Sequence, residues 1–124
     1  MSAGYLLDAS FVITFLREVE ARQVGDARRY LVGLHRARIY MSVVAYAEVL
    51  EQAAELRLRF RFQGIGQDVA ERVALLQRLS ARRMGENDAW IAATAIKGDL
   101  TLVADDDEAF VGRPRLDYVN FRQR

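Results

Sequence analysis

Short apolar runs alternate with longer amphipathic stretches along the whole chain. "GYLLDAS" opens with an apolar run that stops at Asp8, which predicts a buried strand over residues 5–7 and then a turn. Residues 11–16 and 27–34 carry apolar positions at helical spacing and predict two helices. "RIYMSVV" is rich in β-forming residues and runs into the helix-forming stretch "AYAEVLEQAAEL". The first half of the chain therefore predicts two strands, each followed by helix.

The second half continues the alternation. "LRLRFRFQG" alternates apolar and basic residues with period two, which predicts a short extended segment with Arg57, Arg59 and Arg61 on one side. "QDVAERVALLQRLSARR" predicts an amphipathic helix, and residues 87–97 predict another that stops at Gly98. "LTLVAD" and "LDYVNF" predict two further strands. Strands separated by helices indicate an α/β fold with a mainly parallel sheet covered on both faces.

Composition limits the class of protein. The 124 residues, 52% of them hydrophobic, suit a single domain over residues 1–124. The absence of cysteine excludes disulfides, thiolate metal sites and thiol nucleophiles, and a lone His35 excludes a histidine-rich metal site. The longest nearly unbroken apolar run, residues 89–96, is far below the roughly 20 residues that cross a bilayer, and "MSAGYLLDAS" lacks a signal-peptide pattern. We expect a soluble protein of the cytoplasm without membrane contact.

Charge adds one feature. The formal net charge is only +1, but all except one of the 18 basic residues are arginine. Arginine suits phosphate recognition because its planar guanidinium donates two parallel hydrogen bonds, while arginine-biased codon usage explains the same count equally well.

Acidic residues fall where a parallel sheet places its ligand site, beyond the carboxyl ends of the strands. Asp8 follows the first strand, Glu48 lies one turn into the helix after the second, Asp88 opens a later helix, and residues 105–107 follow the strand at 100–104. Each acid alone has a structural explanation as a helix cap, a solvated helix residue or a turn residue.

Clustered carboxylates repel one another and are stabilised by a bound cation, and oxygen ligands without His or Cys select Mg²⁺ or Mn²⁺. Such an ion suits phosphate chemistry.

The four acidic segments also carry a family resemblance. "YLLDAS", "SVVAYAEVLEQ", "GENDAWIAATAI" and "LVADDDEAF" resemble, in order and spacing, the acidic signatures of the PIN-domain ribonucleases, and most closely the VapC-type toxins of toxin–antitoxin pairs. The resemblance implies a three-layer α/β/α sandwich and Mg²⁺- or Mn²⁺-dependent hydrolysis of RNA phosphodiester bonds. It also implies a homodimer and a cognate antitoxin protein as partner.

The resemblance further assigns the site residues. The metal-binding catalytic acids would be Asp8, Glu48, Asp88 and Asp106. The family's fourth acid usually lies two residues after a Thr or Ser, and Ala104 occupies that position here, so Asp105 is an alternative to Asp106. Ser10 matches a small polar position that orients water at the metal, and Asn87 either supports the site or caps its helix.

Five arginines are candidates for binding the RNA backbone, and they are equally explained as solvated side chains that cover apolar surface. They are Arg57, Arg59, Arg61, Arg82 and Arg83. Trp90 and Ile91 are expected in the core, because a Trp within an apolar helix is more often packed than stacked on a base.

Two alternative functions stay open at this point. A PIN-like module without catalysis would serve only for binding, and Ala104 leaves room for it. A Mg²⁺-binding receiver domain of a signalling protein needs an acidic pair after its first strand and a late lysine. Here Asp8 stands alone and the single lysine, Lys97, lies toward the end of a predicted helix, which disfavours a receiver domain.

Overall fold

The computed structural model describes residues 3–34, 37–52, 61–63 and 66–122. Within these ranges the strands are β1 (Gly4–Leu7), β2 (Ile39–Ser42), β3 (Arg61–Gln63), β4 (Leu100–Ala104) and β5 (Tyr118–Asn120). The helices are α1 (Ala9–Glu20), α2 (Asp26–Gly33), α3 (Val43–Gln52), α4 (Gln67–Leu79), α5 (Glu86–Gly98) and α6 (Asp107–Phe110). None of the helices in the described ranges is long and apolar enough to cross a lipid bilayer.

The strands form one sheet in the order β3-β2-β1-β4-β5, and every neighbouring pair is parallel. The chain therefore begins in the middle of the sheet, builds outward through β2 and β3, and then crosses to β4 and β5 on the other side. This reversal makes the carboxyl ends of β1 and β4 a topological switch point, the place where open α/β sheets bind ligands. Leu7 pairs with Val103 at this end of the two strands.

Helices cover both faces of the sheet, which confirms the three-layer α/β/α sandwich. Successive strand residues point to opposite faces. Leu6 and Leu102 accordingly belong to the core formed with α4 and α5, whereas Leu7 and Val103 belong to the core formed with α1, α2 and α3.

Helix α5 is buried on most of its surface, as its apolar sequence predicts. Its buried residues are Ala89, Ile91, Ala92, Ala93, Thr94 and Ala95. Ile91 is a core residue, while Trp90 is half-buried against the same core and donates from Nε1 to Glu86 Oε1 at 3.3 Å.

Several predicted boundaries are wrong in detail. Helix α4 ends at Leu79, four residues early, because Ser80 turns to an extended backbone and donates its hydroxyl back to the Leu76 carbonyl. Helix α5 includes Gly98, and Asp99 adopts the left-handed conformation after it. The acidic run after β4, expected as a plain turn, opens the short helix α6. Of the alternating segment, residues 61–63 form β3, and Arg57 and Arg59 lie outside the described residues.

Phe11 offers a test of the core that α1, α2 and α3 form on one face of the sheet. Its ring is fully buried, with its centroid 4.9 Å from that of Phe121 and 6.1 Å from that of Tyr30. We expect Phe11→Ala to lower the free energy of unfolding by about 3–5 kcal/mol, because it opens a cavity that the neighbours fill only in part. Denaturant titration measures this, with the exposed Val19→Ala as a control expected to change stability by less than about 0.5 kcal/mol. Equal effects of the two substitutions would contradict the packing described.

Candidate active site

The pairing of β1 with β4 brings two acidic segments together. Asp8 follows β1 directly, and its backbone N–H donates to the Val103 carbonyl at 3.0 Å. Val103 is followed by Ala104, which ends β4, and then by the three aspartates at positions 105–107. Asp8 occupies the N-cap position of α1, although no side-chain hydrogen bond caps this helix. Ser10 Oγ donates to Asp8 Oδ2 at 2.9 Å, so the Ser10 hydroxyl lies beside this carboxylate.

Two helices supply the other acids. Ser42 closes β2, and its hydroxyl accepts the Ala45 N–H at 3.0 Å, which starts α3 and places Glu48 in its second turn, half-buried. Helix α5 has Gly85 as its N-cap residue, so neither Asn87 nor Asp88 is the cap. Asp88 lies in the first turn and is half-buried, while Asn87 beside it is exposed.

The charges of these acids act on one another. Burial is the largest cause that raises the pKa of Asp8, and the charge of Asp88 adds to it against the lowering effect of the Ser10 hydrogen bond. Burial also raises the pKa of Glu48, and the charges of Asp8 and Asp88 raise it further. Acids from three separate elements therefore share one electrostatic environment that disfavours their ionisation together.

Asp88 connects this group to the segment after β4. Burial raises the pKa of Asp88 and the charge of Asp106 raises it further, whereas the positive charge of Arg113 lowers it. Asp88 is thus the one carboxylate of the four with an electrostatic interaction with each of the other three: its charge raises the pKa of Asp8 and of Glu48, and the charge of Asp106 raises its own pKa.

The three aspartates after β4 have different partners. Asp106 is the N-cap of α6, where it accepts the Ala109 N–H at 3.1 Å, and it lines a pocket together with Asp88. Asp105 pairs with Arg122 instead, at 2.9 Å between Oδ2 and Nε. Asp107 accepts hydrogen bonds from the Tyr118 hydroxyl and the Asn120 amide, at 2.8 and 3.0 Å. Of the three, Asp106 is the one whose surroundings suit the role of fourth acid.

The donor chemistry fits a hard divalent cation, since carboxylate oxygens are the ligands Mg²⁺ and Mn²⁺ prefer and their mutual repulsion favours a counter-charge. Within the described ranges, no three acidic or histidine side chains are already drawn together as a metal-binding group.

Two of the predicted basic residues lie beside the acids. Arg82 and Arg83 line the same pocket of about 240 Å³ as Asp88 and Asp106. Arg82 donates to the Glu108 carbonyl, and Arg83 pairs with Glu86 at 3.6 Å. By contrast, Arg61 lies on the edge strand β3, separated from β1 by β2, and the structure does not bring its backbone to this pocket.

Arg113 is a pocket residue that the sequence did not reveal. It is buried, with 9% of its surface exposed, although arginine is seldom buried unless it is paired. Its Nε donates to the Ala109 carbonyl at 2.7 Å, and its Nη1 donates to the Arg82 carbonyl. The stretch "GRPR" carries no periodic signal that separates Arg113 from the solvated Arg115, so only the tertiary structure could identify it.

Three solved structures illustrate the similarity of this fold to known proteins. A chain of VapBC2 from Rickettsia felis, bound to a DNA fragment from its promoter, matches with a TM-score of 0.74 and 18% identity over 94% of this chain and 97% of that one. A chain of a toxin–antitoxin complex from Klebsiella pneumoniae matches with a TM-score of 0.74 and 23% identity, over 94% of this chain and 97% of that one. FitAcB from Neisseria gonorrhoeae matches with a TM-score of 0.74 and 21% identity, over 94% of this chain and 97% of that one. No curated protein sequence matches the chain.

The family itself follows from a sequence match. The pattern that describes the PIN domain matches residues 5–114, which include all four acids and most of the elements of the sheet and its helices. The chain therefore belongs to the PIN domain family.

Proposed function

We propose that this protein is a metal-dependent endoribonuclease that hydrolyses RNA phosphodiester bonds and acts as the toxin of a toxin–antitoxin pair. The observation that carries the proposal is the acidic edge of the sheet, where Asp8, Glu48 and Asp88 come from three separate elements and share one electrostatic environment. Membership of the PIN domain family and the toxin–antitoxin complexes among the similar structures support it.

In this proposal Asp8, Glu48 and Asp88 hold Mg²⁺ or Mn²⁺, with Asp106 as the fourth acid. The bound ion supplies polarisation of the phosphoryl oxygen and a lower pKa for water at the site. Ser10 holds the Asp8 carboxylate in one orientation through its 2.9 Å hydrogen bond. Asp106 is held by the N–H of Ala109 and remains exposed toward the pocket it lines with Asp88.

The RNA backbone is proposed to pass the pocket beside Asp88. Arg82 and Arg83 line it and provide positive charge within reach of a phosphate next to the acids. Sequence-specific recognition of RNA relies mainly on unstacked bases in single strands, which fits an open pocket on the surface of the sheet edge. Asn87, exposed in the first turn of α5, is proposed as an accessory residue at the rim.

The proposed protein partners are a cognate antitoxin and a second copy of the chain. The antitoxin is suggested by the toxin–antitoxin complexes to which the fold is similar. The homodimer rests on the family resemblance. An RNA substrate and a protein antitoxin are consistent with action in the cytoplasm.

One observation keeps a binding module without catalysis as the second candidate. The residue that ends β4 is Ala104, whose side chain is a methyl group, so it offers no hydroxyl to the acidic edge. It is fully buried in the core with α4 and α5. The receiver-domain alternative loses its remaining support, because Lys97 pairs with Asp68 at 3.2 Å, at the end of α5 that is remote from Asp88.

RNA cleavage separates catalysis from simple binding. We expect wild-type protein with Mn²⁺ to cleave single-stranded RNA and to leave 5′-phosphates. We expect Asp8→Asn to reduce the rate by about 100-fold or more, because it removes a charge that holds the ion at the reacting phosphate. Asp99→Asn is the matched control, since Asp99 is an exposed aspartate directly before β4, at the end of that strand away from the acids. Equal cleavage by wild type and Asp8→Asn would remove the catalytic role from Asp8.

Calorimetry tests whether the acids form one metal site. We expect wild type and Asp99→Asn to bind Mn²⁺, and both Glu48→Gln and Asp88→Asn to lose binding, because each removes a ligand charge from the shared site. If both variants bind Mn²⁺ as wild type does, the metal assignment has to be withdrawn.

Thermal unfolding tests the electrostatic cost of the site. The pKa of Asp8 is raised, which means that the folded state favours the neutral acid over the charged one. The contribution of neutral Asp8 to the stability of the fold is therefore fully present below the ordinary pKa of 3.8 for aspartate, and it is lost as the pH rises through the raised pKa. At pH 7 with a chelator we therefore expect Asp8→Asn to melt at a higher temperature than wild type. With free Mn²⁺ at about 100 times its dissociation constant, wild type should gain about 2.7 kcal/mol and the variant should not. A lower melting temperature of Asp8→Asn in the chelator would contradict this interpretation.

A further inference from the structure

Arg113 connects two segments that carry acids of the proposed site. Its Nε donates to the carbonyl of Ala109 in α6, and its Nη1 donates to the carbonyl of Arg82, in the segment between α4 and α5. We call these two hydrogen bonds the Arg113 bridge. Each acceptor is a backbone carbonyl, so the bridge fixes the main chain of both segments, whatever their side chains do.

The segment between α4 and α5 is also held from its other side. Gln77 of α4 accepts the Met84 N–H at 2.9 Å and donates to the Met84 carbonyl at 3.0 Å. Arg82 in turn donates to the Glu108 carbonyl, beside one acceptor of the bridge. Residues 82–84 are thus attached to α4 through Gln77 and to α6 through arginines.

Two acids of the proposed site lie close along the chain to the residues held in this way. Asp88 follows the held segment in the first turn of α5, and Asp106 caps α6 through the N–H of Ala109, whose carbonyl is an acceptor of the bridge. Arg113 lines the pocket that both acids line. A shift of either segment would therefore change how the two carboxylates can converge.

We propose that Arg113 is a positioning residue for the metal-binding carboxylates, because its bridge fixes the start of α5 relative to α6 and so the spacing of Asp88 and Asp106. The proposal rests on the proposed metal-dependent function of the same site. Arg113 itself is not a ligand, since a guanidinium has no acceptor for a cation.

A role of Arg113 through its charge and a role through the bridge predict opposite changes in metal affinity when Arg113 is removed, which makes the proposal testable. A positive charge beside Asp88 repels a cation, so if Arg113 acted through charge alone, removing it would tighten metal binding. If it acts through the bridge, removing it weakens metal binding. Lysine keeps the charge, but its single ammonium on a flexible stem does not reproduce the planar guanidinium that serves two carbonyls.

The experiment is Mn²⁺ calorimetry on wild type, Arg113→Ala, Arg113→Lys and Arg115→Ala. Arg115 is exposed two residues away, so Arg115→Ala removes the same charge without touching the bridge. We expect both Arg113 variants to bind Mn²⁺ about 10- to 100-fold more weakly, the usual effect of losing a residue that orients metal ligands, and Arg115→Ala to bind as wild type does. Tighter binding by Arg113→Ala with unchanged binding by Arg113→Lys would overturn the proposal in favour of a pure charge effect.

Hydrogen exchange of the metal-free protein gives a second readout. We expect faster exchange of backbone amides in residues 82–89 in Arg113→Lys, with unchanged exchange in β1 and β4. Unchanged exchange in residues 82–89 would overturn the bridge. If Arg113→Ala fails to fold, Arg113→Lys decides the question by both measurements.

The two proposals fail in different ways. If wild type does not bind Mn²⁺, the proposed metal-dependent function fails, whereas the exchange measurement still tests the bridge. If wild type binds Mn²⁺ and the Arg113 variants bind it equally well, the function stands and the positioning role of Arg113 is wrong.

Discussion

The parallel pairing of β1 with both of its neighbours determines where chemistry can take place in this molecule. Because β1 pairs with β2 on one side and β4 on the other, all their carboxyl ends meet at one edge of the sheet. Asp8 leaves β1 at that edge, and the segment of Asp106 leaves β4 beside it. Helix α3, with Glu48, leaves β2 at that edge and packs on one face of the sheet. Helix α5, with Asp88 in its first turn, leads back into β4 and so begins at that edge, and it packs on the other face. The acidic site is therefore a product of strand direction and crossover connections.

This concentration of carboxylates works against the stability of the fold. Burial raises the pKa of Asp8, Glu48 and Asp88, and their charges add to the effect. The chain offsets part of the cost with local hydrogen bonds and with the buried Arg113, which lowers the pKa of Asp88. Sites that break the usual rules of burial and charge pairing are where function is expected, because the surrounding structure has to maintain an arrangement that stability alone would not favour.

The features predicted from the sequence are those that depend on local pattern. Alternating strands and helices gave the parallel sheet, and the position of each acid relative to a strand or helix end gave the acidic edge. Partners in space were not predictable. Asp105 and Asp106 are identical in type and adjacent, yet one pairs with Arg122 and the other lines the pocket with Asp88.

The same limit applies to Arg113 and to the helix boundaries. Arginine is normally exposed, so nothing local marks Arg113 as buried until α6 and the segment before α5 are in place. The N-cap of α5 is Gly85, which has no side chain to cap with, although Asn87 and Asp88 are the residue types that capping favours. Tertiary packing thus decided both the burial of Arg113 and the residue at which α5 begins, against the local preferences of arginine for exposure and of Asn and Asp for the N-cap.

Helix α5 has a consequence for how proteins of this kind are recognised. Its alanines at positions 89, 92, 93 and 95 are completely buried in the core, so a larger side chain at any of them would clash with the residues packed around the helix. The "NDAWIAATA" stretch is thus constrained chiefly by packing, and Asp88 is one acid at its margin. A chain that had lost its acids would still need this alanine-rich helix to fold. Family membership and enzymatic activity are therefore separable properties of the sequence, and a match to the helix is evidence for the first alone.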